Sequence, residues 1–131
     1  MDQKFKEIKP GCVARVLEYL PYFEKKNHKF YKMNFNLSAQ PYIYSDKVLD
    51  FVRTLKDCKF VQPDAFDAVF WGNEAEKILT NESLLMQVDL ETIVKLFTAI
   101  VVKERTTNGN LALLLSNNTI VHILKRLQNL Q

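Results

Sequence analysis

The spacing of apolar residues predicts a long helix as the spine of the molecule in the last third of the chain. Asp89 precedes a segment in which apolar side chains recur every three or four residues and form one stripe. The stripe consists of Leu90, Ile93, Leu96, Phe97, Ile100 and Val101. Val94 and Val102 widen it, so we expect a central helix that is contacted on more than one side. Asn108-Gly109 follows and suits the left-handed conformation that ends many helices.

Two shorter helices are predicted after this glycine. Residues 111–116 form a short apolar helix, and Asn117-Asn118 turns the chain. Thr119 is the predicted N-cap of a closing amphipathic helix. Its apolar positions are Ile120, Ile123, Leu124, Leu127 and Leu130.

The first half combines helical and alternating patterns. Residues 10–20 are predicted to be helical, and Pro21 is expected to end that helix. Ser45 is a predicted N-cap for a helix that runs to about Asp57. Met33, Phe35 and Leu37 alternate with polar residues, which predicts a short strand. Further short helices are predicted around Phe66, Val69 and Phe70, and then, after an interruption at Gly72, around Ala75, Ile78 and Leu79. The expected fold class is mainly α, a compact helical single domain over residues 1–131 with a short two-stranded β element near residues 30–44.

Length and composition are those of an ordinary globular domain. The chain has 131 residues, of which 47% are hydrophobic and 25% charged. A chain of this size can bury enough surface to fold without a disulfide or a metal. The first ten residues contain no apolar signal core, and the longest apolar run, residues 111–115, is too short to cross a bilayer. We therefore expect a cytoplasmic protein without membrane contact, in which Cys12 and Cys58 are free thiols.

Charge is distributed unevenly along the chain. Residues 1–33 carry a net charge of +4, residues 34–91 of −5, and residues 92–131 of +4. Internal pairing between the basic ends and the acidic middle is the favoured interpretation, and a basic docking face is the alternative.

The motifs of several enzyme classes are missing. Three scattered glycines cannot form a phosphate-binding loop, and neither a nucleophile elbow nor a His-Glu-x-x-His motif is present. Cys12, His28, Cys58 and His122 contain no pair at metal-ligand spacing. The segment from Pro63-Asp64 to Lys77 has the order of a metal-nuclease pattern but has Ala75 where a carboxylate is needed. The sequence therefore predicts no catalytic residue, no metal site and no cofactor.

One basic segment is a candidate nucleic-acid site. Residues 25–32, KKNHKFYK, interleave lysines with aromatic residues, which suits phosphate neutralisation and base stacking. The candidate residues are Lys25, Lys26, Lys29, Tyr31 and Lys32, joined by Lys125 and Arg126 of the closing helix. The favoured structural interpretation is a solvated loop whose two aromatic side chains pack into the core.

The end of the central helix supplies a second candidate site. Lys103, Glu104 and Arg105 close this helix, where a basic residue complements the negative helix end. Arg105 is suited to pair with Asp67, with Asp89 or with a ligand anion, and a structural pairing that locks the turn is favoured over a ligand site. An enzyme or small-ligand pocket would require Asp67, Trp71 and Arg105 to converge.

Several of these residues form a pattern that resembles a bacterial domain-of-unknown-function family, DUF6508. The residues are Asp89-Leu90-Glu91-Thr92-Ile93, Lys95-Leu96, Thr98, Glu104-Arg105, Gly109, Leu111 and Ile123-Leu124-Lys125-Arg126-Leu127. Leu20-Pro21-Tyr22-Phe23-Glu24 and Phe66-Asp67 with Trp71 extend the resemblance upstream. It implies a small, mostly helical cytoplasmic protein and no particular activity. The chain departs from the family pattern at Ala68, Val102, Thr106 and Asn118, and Val102 stands where the family usually has an arginine.

The working hypothesis is a non-enzymatic protein-binding or regulatory module of a bacterium or of its mobile elements, phages or plasmids. It would act by blocking or docking on a partner protein. The nucleic-acid binder and the pocket around Asp67, Trp71 and Arg105 are the alternatives, and the oligomeric state is left open.

Overall fold

The predicted spine helix, α6 (Leu90–Thr106), lies at the centre of the structure. The computed structural model describes residues 6–25, 29–34, 36, 41–65 and 71–131, and the structural statements that follow concern these residues. Side chains around most of the circumference of α6 are buried, including those of Ile93, Val94, Leu96, Phe97 and Thr98. Asp89 caps the helix, since its Oδ1 accepts a hydrogen bond of 2.9 Å from the N–H of Thr92. The prediction of a central helix is confirmed.

The other elements pack around this helix. They are α1 (Pro10–Leu17), α2 (Leu20–Glu24), β1 (Tyr31–Met33), β2 (Tyr42–Tyr44), α3 (Asp46–Asp57), α4 (Gly72–Leu79), α5 (Glu82–Leu85), α7 (Asn110–Ser116) and α8 (Thr119–Asn129). The mainly helical fold with one small sheet is the predicted fold class. None of the helices in the described residues has both the length and the hydropathy required to cross a membrane.

A single hydrophobic core joins the two halves of the chain. The closing helix α8 contacts α1, α2, α5, α6 and α7, and α3 contacts α1. Phe97 of α6 packs edge-on against both Phe51 and Phe60, with ring centroids 6.0 Å apart in each pair. All three rings are fully buried. The amphipathic patterns of α3, α6 and α8 therefore face one another.

The two-stranded sheet lies where the sequence predicted a β element. The strands β1 and β2 are antiparallel, with Lys32 opposite Ile43 and Tyr31 opposite Tyr44. Ser45 then caps α3, since its Oγ accepts a hydrogen bond from the N–H of Val48 at 3.3 Å. The predicted strand residues Phe35 and Leu37 lie outside the described residues, as do the predicted helical positions Phe66, Val69 and Phe70.

Pro21 and Thr119 have roles different from those predicted. Pro21 lies in the first turn of α2 instead of ending a helix, because a first-turn position needs no backbone N–H. Gly72 is the first residue of α4, and the helix predicted before it lies outside the described residues. Thr119 is the first residue of α8 rather than its N-cap, and its hydroxyl group donates to Oδ1 of Asn117 at 2.6 Å.

Both cysteines are free thiols. Cys58 is buried at the C-terminal end of α3, and Cys12 lies half-buried on α1. Burial, and to a smaller extent a hydrogen bond with Cys12, raise the pKa of the Cys58 thiol to about 11. The Cys58 side chain is therefore an uncharged part of the core at neutral pH.

Candidate partner-binding groove

The corner between α6 and α7 is organised by the carboxylate of Glu104. Its Oε2 accepts hydrogen bonds from the hydroxyl of Tyr44 at 2.8 Å, the N–H of Gly109 at 3.1 Å and the side-chain amide of Asn108 at 3.3 Å. Its Oε1 accepts the N–H of Leu111 at 2.7 Å. Backbone N–H groups in the first turn of a helix have no partner within that helix. Glu104 therefore satisfies donors at the start of α7 and holds the corner closed.

Tyr44 connects the same carboxylate to the sheet. Its hydroxyl donates to Glu104 and accepts a hydrogen bond of 3.1 Å from the N–H of Ala112, so it bridges β2, α6 and α7. Burial raises the pKa of Tyr44 well above its ordinary value, and the hydrogen bond to Glu104 and the negative charge of Glu104 act in the same direction. Tyr44 is thus a neutral donor at physiological pH.

Gly109 permits the close approach of the sheet to the corner. Its φ of +101° is a left-handed conformation that side chains disfavour, and a Cβ at this position would overlap with the ring of Tyr42. The backbone N–H of Tyr42 donates to Oδ1 of Asn108 at 2.8 Å. The predicted left-handed conformation is found at Gly109, but this residue is the N-cap of α7, whereas the C-cap of α6 is Thr107.

Glu104, and not its neighbour Arg105, braces this corner. Arg105 is exposed, and among the described residues it forms no hydrogen bond or ion pair. Asp89, one of its expected partners, instead accepts hydrogen bonds from Thr92, which lower the pKa of Asp89. The other expected partner, Asp67, lies outside the described residues, so a pairing between Arg105 and Asp67 stays a prediction.

Arg105 lies on the wall of an open groove of about 790 Å³ between β2, α3 and α6, which we name the Arg105 groove. Ile43 of β2 and Leu49 of α3 line it, and they are 45% and 47% exposed. Val52 and Lys56 follow Leu49 on the same face of α3, at helical spacing. Neither Lys56 nor Arg105 forms an ion pair with another described residue. The groove therefore combines exposed apolar side chains with two available cations.

Trp71 lies elsewhere. It precedes α4, and the centroid of its ring lies 5.9 Å from Nζ of Lys95 on α6. Arg105 follows Lys95 by ten positions on the same helix, which corresponds to about 15 Å along its axis. Trp71 does not line the Arg105 groove. The structure therefore does not bring Trp71 and Arg105 together, and Asp67 cannot be placed relative to them because it lies outside the described residues.

The candidate nucleic-acid residues lie mostly around a different groove. It is formed by α2, β1 and α8, and its lining includes Lys25, Lys29, Tyr31, Lys32 and Lys125. We name it the lysine groove. Its volume is about 940 Å³.

Two residues proposed for this site are not among its described lining residues. Arg126 is half-buried and donates from Nε to the backbone oxygen of Val88 at 2.8 Å, so it fastens α8 to the segment before α6. Lys26 lies outside the described residues.

The sequence interpretation did not identify Glu104 as an organising residue, although its position contained a signal. A helix C-terminus disfavours negative charge, and Glu104 lies in the last turn of α6, just before a glycine turn. An acidic residue at such a position indicates hydrogen-bond donors from other parts of the chain, whose bonds to the carboxylate offset the unfavourable charge. Ile43 and Leu49 carried no comparable signal, because single apolar residues on a surface are common.

The chain belongs to a family of unknown function, DUF6508, whose model matches residues 9–131. The resemblance found in the sequence is thereby confirmed. No curated protein and no solved structure matches the chain. The family carries no assigned activity, so a function for this member has to be argued from its geometry.

Proposed function

We propose that this DUF6508 protein is a non-enzymatic binding module whose Arg105 groove holds a segment of a partner protein. The segment would present an apolar side chain flanked by carboxylates. The observation that carries the proposal is the convergence of two half-exposed apolar side chains, Ile43 and Leu49, with two available cations, Lys56 and Arg105, in one groove. In this proposal the protein acts in the cytoplasm of a bacterium, or for one of its mobile elements, by blocking or docking on the partner.

The apolar part of the groove supplies the driving force. Burial of apolar surface contributes about 25 cal/mol per Å² removed from water. Isolated exposed leucines are common, whereas apolar residues that cluster within a concave, polar-rimmed surface are typical of interaction sites. Ile43 and Leu49 come from different elements and share this groove with the half-buried Val52, so an inserted side chain would contact all three.

The charges in the groove define the partner. Lys56 and Arg105 are its cations, and Glu104 is the one acidic side chain among its described lining residues. The Glu104 oxygens already accept the hydrogen bonds of the corner, so this carboxylate does not compete for the cations. Arginine forms two parallel hydrogen bonds with a carboxylate, which gives geometric selectivity as well as attraction.

The groove is also held in shape before any partner binds. The Tyr44–Glu104 hydrogen bond connects the strand that carries Ile43 to the helix that carries Arg105. A preorganised site loses less conformational freedom on binding and so retains more of its interaction energy. The same hydrogen bonds occupy Glu104 and Tyr44, which supports a binding role rather than acid–base catalysis by this pair.

The first test compares two charge reversals in the last turn of α6. Arg105→Glu and Lys103→Glu make the same change of charge at the same helix end, but Lys103 does not line the Arg105 groove. Immobilised wild type and variants are incubated with an extract of the source cells, and retained proteins are quantified by mass spectrometry. We expect at least one partner to be lost with Arg105→Glu and kept with Lys103→Glu. Equal retention by both variants would contradict the proposal.

The second test concerns the apolar contact. Leu49→Ser removes an apolar side chain from the groove, and Leu84→Ser removes one that is 45% exposed on α5 and lies outside the groove. We expect the partner identified in the first test to bind less tightly to Leu49→Ser only, with hydrogen-exchange protection of β2 and α3 in the wild-type complex. Protection confined to other elements would place the interface elsewhere and reject the Arg105 groove.

A further inference from the structure

We propose that the lysine groove is a second binding site and that it takes the phosphate backbone of a nucleic acid. Four lysines line it, three from residues 25–32 and the fourth from the C-terminal helix. Lys25 and Lys29 lie between α2 and β1, Lys32 belongs to β1, and Lys125 belongs to α8. The site is distinct from the Arg105 groove, because the described residues that line the two grooves do not overlap.

Folding concentrates charge of one sign in this groove. The lysines come from the two basic ends of the chain, and the acidic middle contributes no described lining residue. Glu24 is the one acidic residue in the described lining, and its Oε2 lies 3.8 Å from Nζ of Lys125, at the edge of ion-pair distance. An anionic ligand would remove the repulsion among the remaining cations.

The ion pairs between described residues follow the predicted pairing of the basic ends with the acidic middle only in part. Arg53 pairs with Asp50, and Lys77 with Glu74, in both cases within one helix of the middle segment. His122 lies 3.7 Å from Glu82 and is the one group in these pairs that joins a basic end to the middle. Among the described residues, none of the four lysines of this groove pairs with a carboxylate of the acidic middle.

The groove also carries polar groups suited to the phosphate and sugar portions of a nucleic acid. Tyr31 is half-buried, and its ring packs against Tyr42 and Tyr44 with ring centroids 5.3 and 6.4 Å apart. Its hydroxyl lies 3.2 Å from Oγ of Ser116, with Asn118 and His122 nearby in the lining. Phe30, by contrast, packs against Tyr22 and Phe23 with ring centroids 5.5 and 5.6 Å apart. Phe30 therefore belongs to the core, and Tyr31 contributes its hydroxyl group to the groove.

An acidic polypeptide is the competing ligand class, and the character of the groove disfavours it. Protein interfaces depend on buried apolar or aromatic anchors. Met33 is 42% exposed, whereas the other apolar side chains of the described lining are buried or half-buried, namely Phe23, Phe30, Leu115 and Val121. Hydroxyl, amide, imidazole and ammonium groups make up much of the remainder, and these are the groups that contact phosphate and sugar.

The test measures the fluorescence anisotropy of labelled oligonucleotides over a series of salt concentrations. Single-stranded DNA, single-stranded RNA and duplex DNA of mixed sequence are titrated with the full chain. We expect binding at low salt with a linear dependence of log K on log salt concentration. Lys29→Gln, Lys32→Gln and Lys125→Gln should each reduce the slope by about 0.7 for a single strand or about 0.9 for a duplex. Lys77→Gln, on α4 outside the groove, is the matched control and should leave the slope unchanged.

The outcomes separate this site from the other one. Absence of binding at low salt, or equal loss of affinity in the Lys77→Gln control, overturns the proposal. Displacement of the oligonucleotide by polyglutamate at equal charge concentration would assign the groove to acidic polypeptides and would also overturn it. Arg105→Glu should bind nucleic acid like the wild type, because Arg105 does not line the lysine groove. A protein that does not bind nucleic acid could therefore still bind a partner protein at the Arg105 groove.

Discussion

The hydroxyl group of Tyr44 donates a hydrogen bond of 2.8 Å to the carboxylate of Glu104, a residue 60 positions away in the sequence. This contact ties the small sheet to the end of the central helix. The same carboxylate accepts the N–H groups of Gly109 and Leu111. The relative positions of β2, α6 and α7, and with them the shape of the Arg105 groove, therefore depend on one acidic side chain.

Replacing Glu104 by Gln should destabilise the protein. The glutamine amide keeps one acceptor oxygen and places an NH₂ group against the remaining donors, so at least one backbone N–H of the corner loses its partner. We expect the free energy of unfolding to fall by about 1–3 kcal/mol, measured by urea denaturation. Glu76→Gln, an exposed residue of α4, is the control and should unfold as the wild type does. Matching midpoints for both variants would show that the corner does not depend on Glu104.

Tyr44 and Glu104 should be energetically coupled. Tyr44→Phe removes the hydroxyl that also accepts the N–H of the buried Ala112. The loss in the double variant with Glu104→Gln should differ from the sum of the two single losses by about 0.5–3 kcal/mol. Urea denaturation of the wild type, the two single variants and the double variant under one set of conditions supplies this double-mutant cycle. Additive losses would mean that the two groups act independently despite their short contact.

Alanine substitutions at two glycines should have opposite effects. Gly109→Ala places a side chain on a left-handed backbone, at a cost of roughly 1–2 kcal/mol, and the overlap with the Tyr42 ring adds to that cost. Gly11 lies within α1 with no atom near a prospective Cβ, so Gly11→Ala should raise the free energy of unfolding by about 0.5–1 kcal/mol. Thermal and urea unfolding distinguish the two. A stabilising Gly109→Ala substitution would disprove the close approach of Tyr42.

The stability conferred by Tyr44 should depend on alkaline pH. Its folded-state pKa is raised, so the native state holds the phenolic proton more tightly than the unfolded state, in which the pKa is about 10. Its contribution is therefore complete below about pH 10 and declines as the pH rises further. The difference in unfolding free energy between wild type and Tyr44→Phe should shrink when the measurement is moved from about pH 8 to about pH 10.5.

Cys58 also loses a proton in this range and has to be controlled for. Its pKa is raised from 9.0 to about 11, so its contribution falls from about pH 9 upwards. Because Cys58 is present in both proteins, its effect cancels in the comparison between wild type and Tyr44→Phe. A difference that stays constant with pH would refute the raised pKa of Tyr44.

Much of the helical architecture could be read from local patterns, and the errors were also local. The caps Ser45 and Asp89 act through donors three residues away, so the sequence alone identified the starts of α3 and α6. Pro21 was misread because proline both ends helices and starts them, and the choice depends on how the following turn packs. The short helix α5 was missed because four residues contain too little periodicity to recognise.

By itself the sequence determined the helical periodicity, the left-handed turn at Gly109 and the uneven distribution of charge, since all of these depend on residue order and near neighbours. Only the tertiary structure decided which residues form the sites. Glu104 and Arg105 are adjacent in the chain, yet successive helical side chains point about 100° apart, and packing turned Glu104 towards Tyr44 and left Arg105 facing the groove. Contacts between residues 60 or more positions apart depend on the whole core, because they form only when the helices that carry both partners have docked.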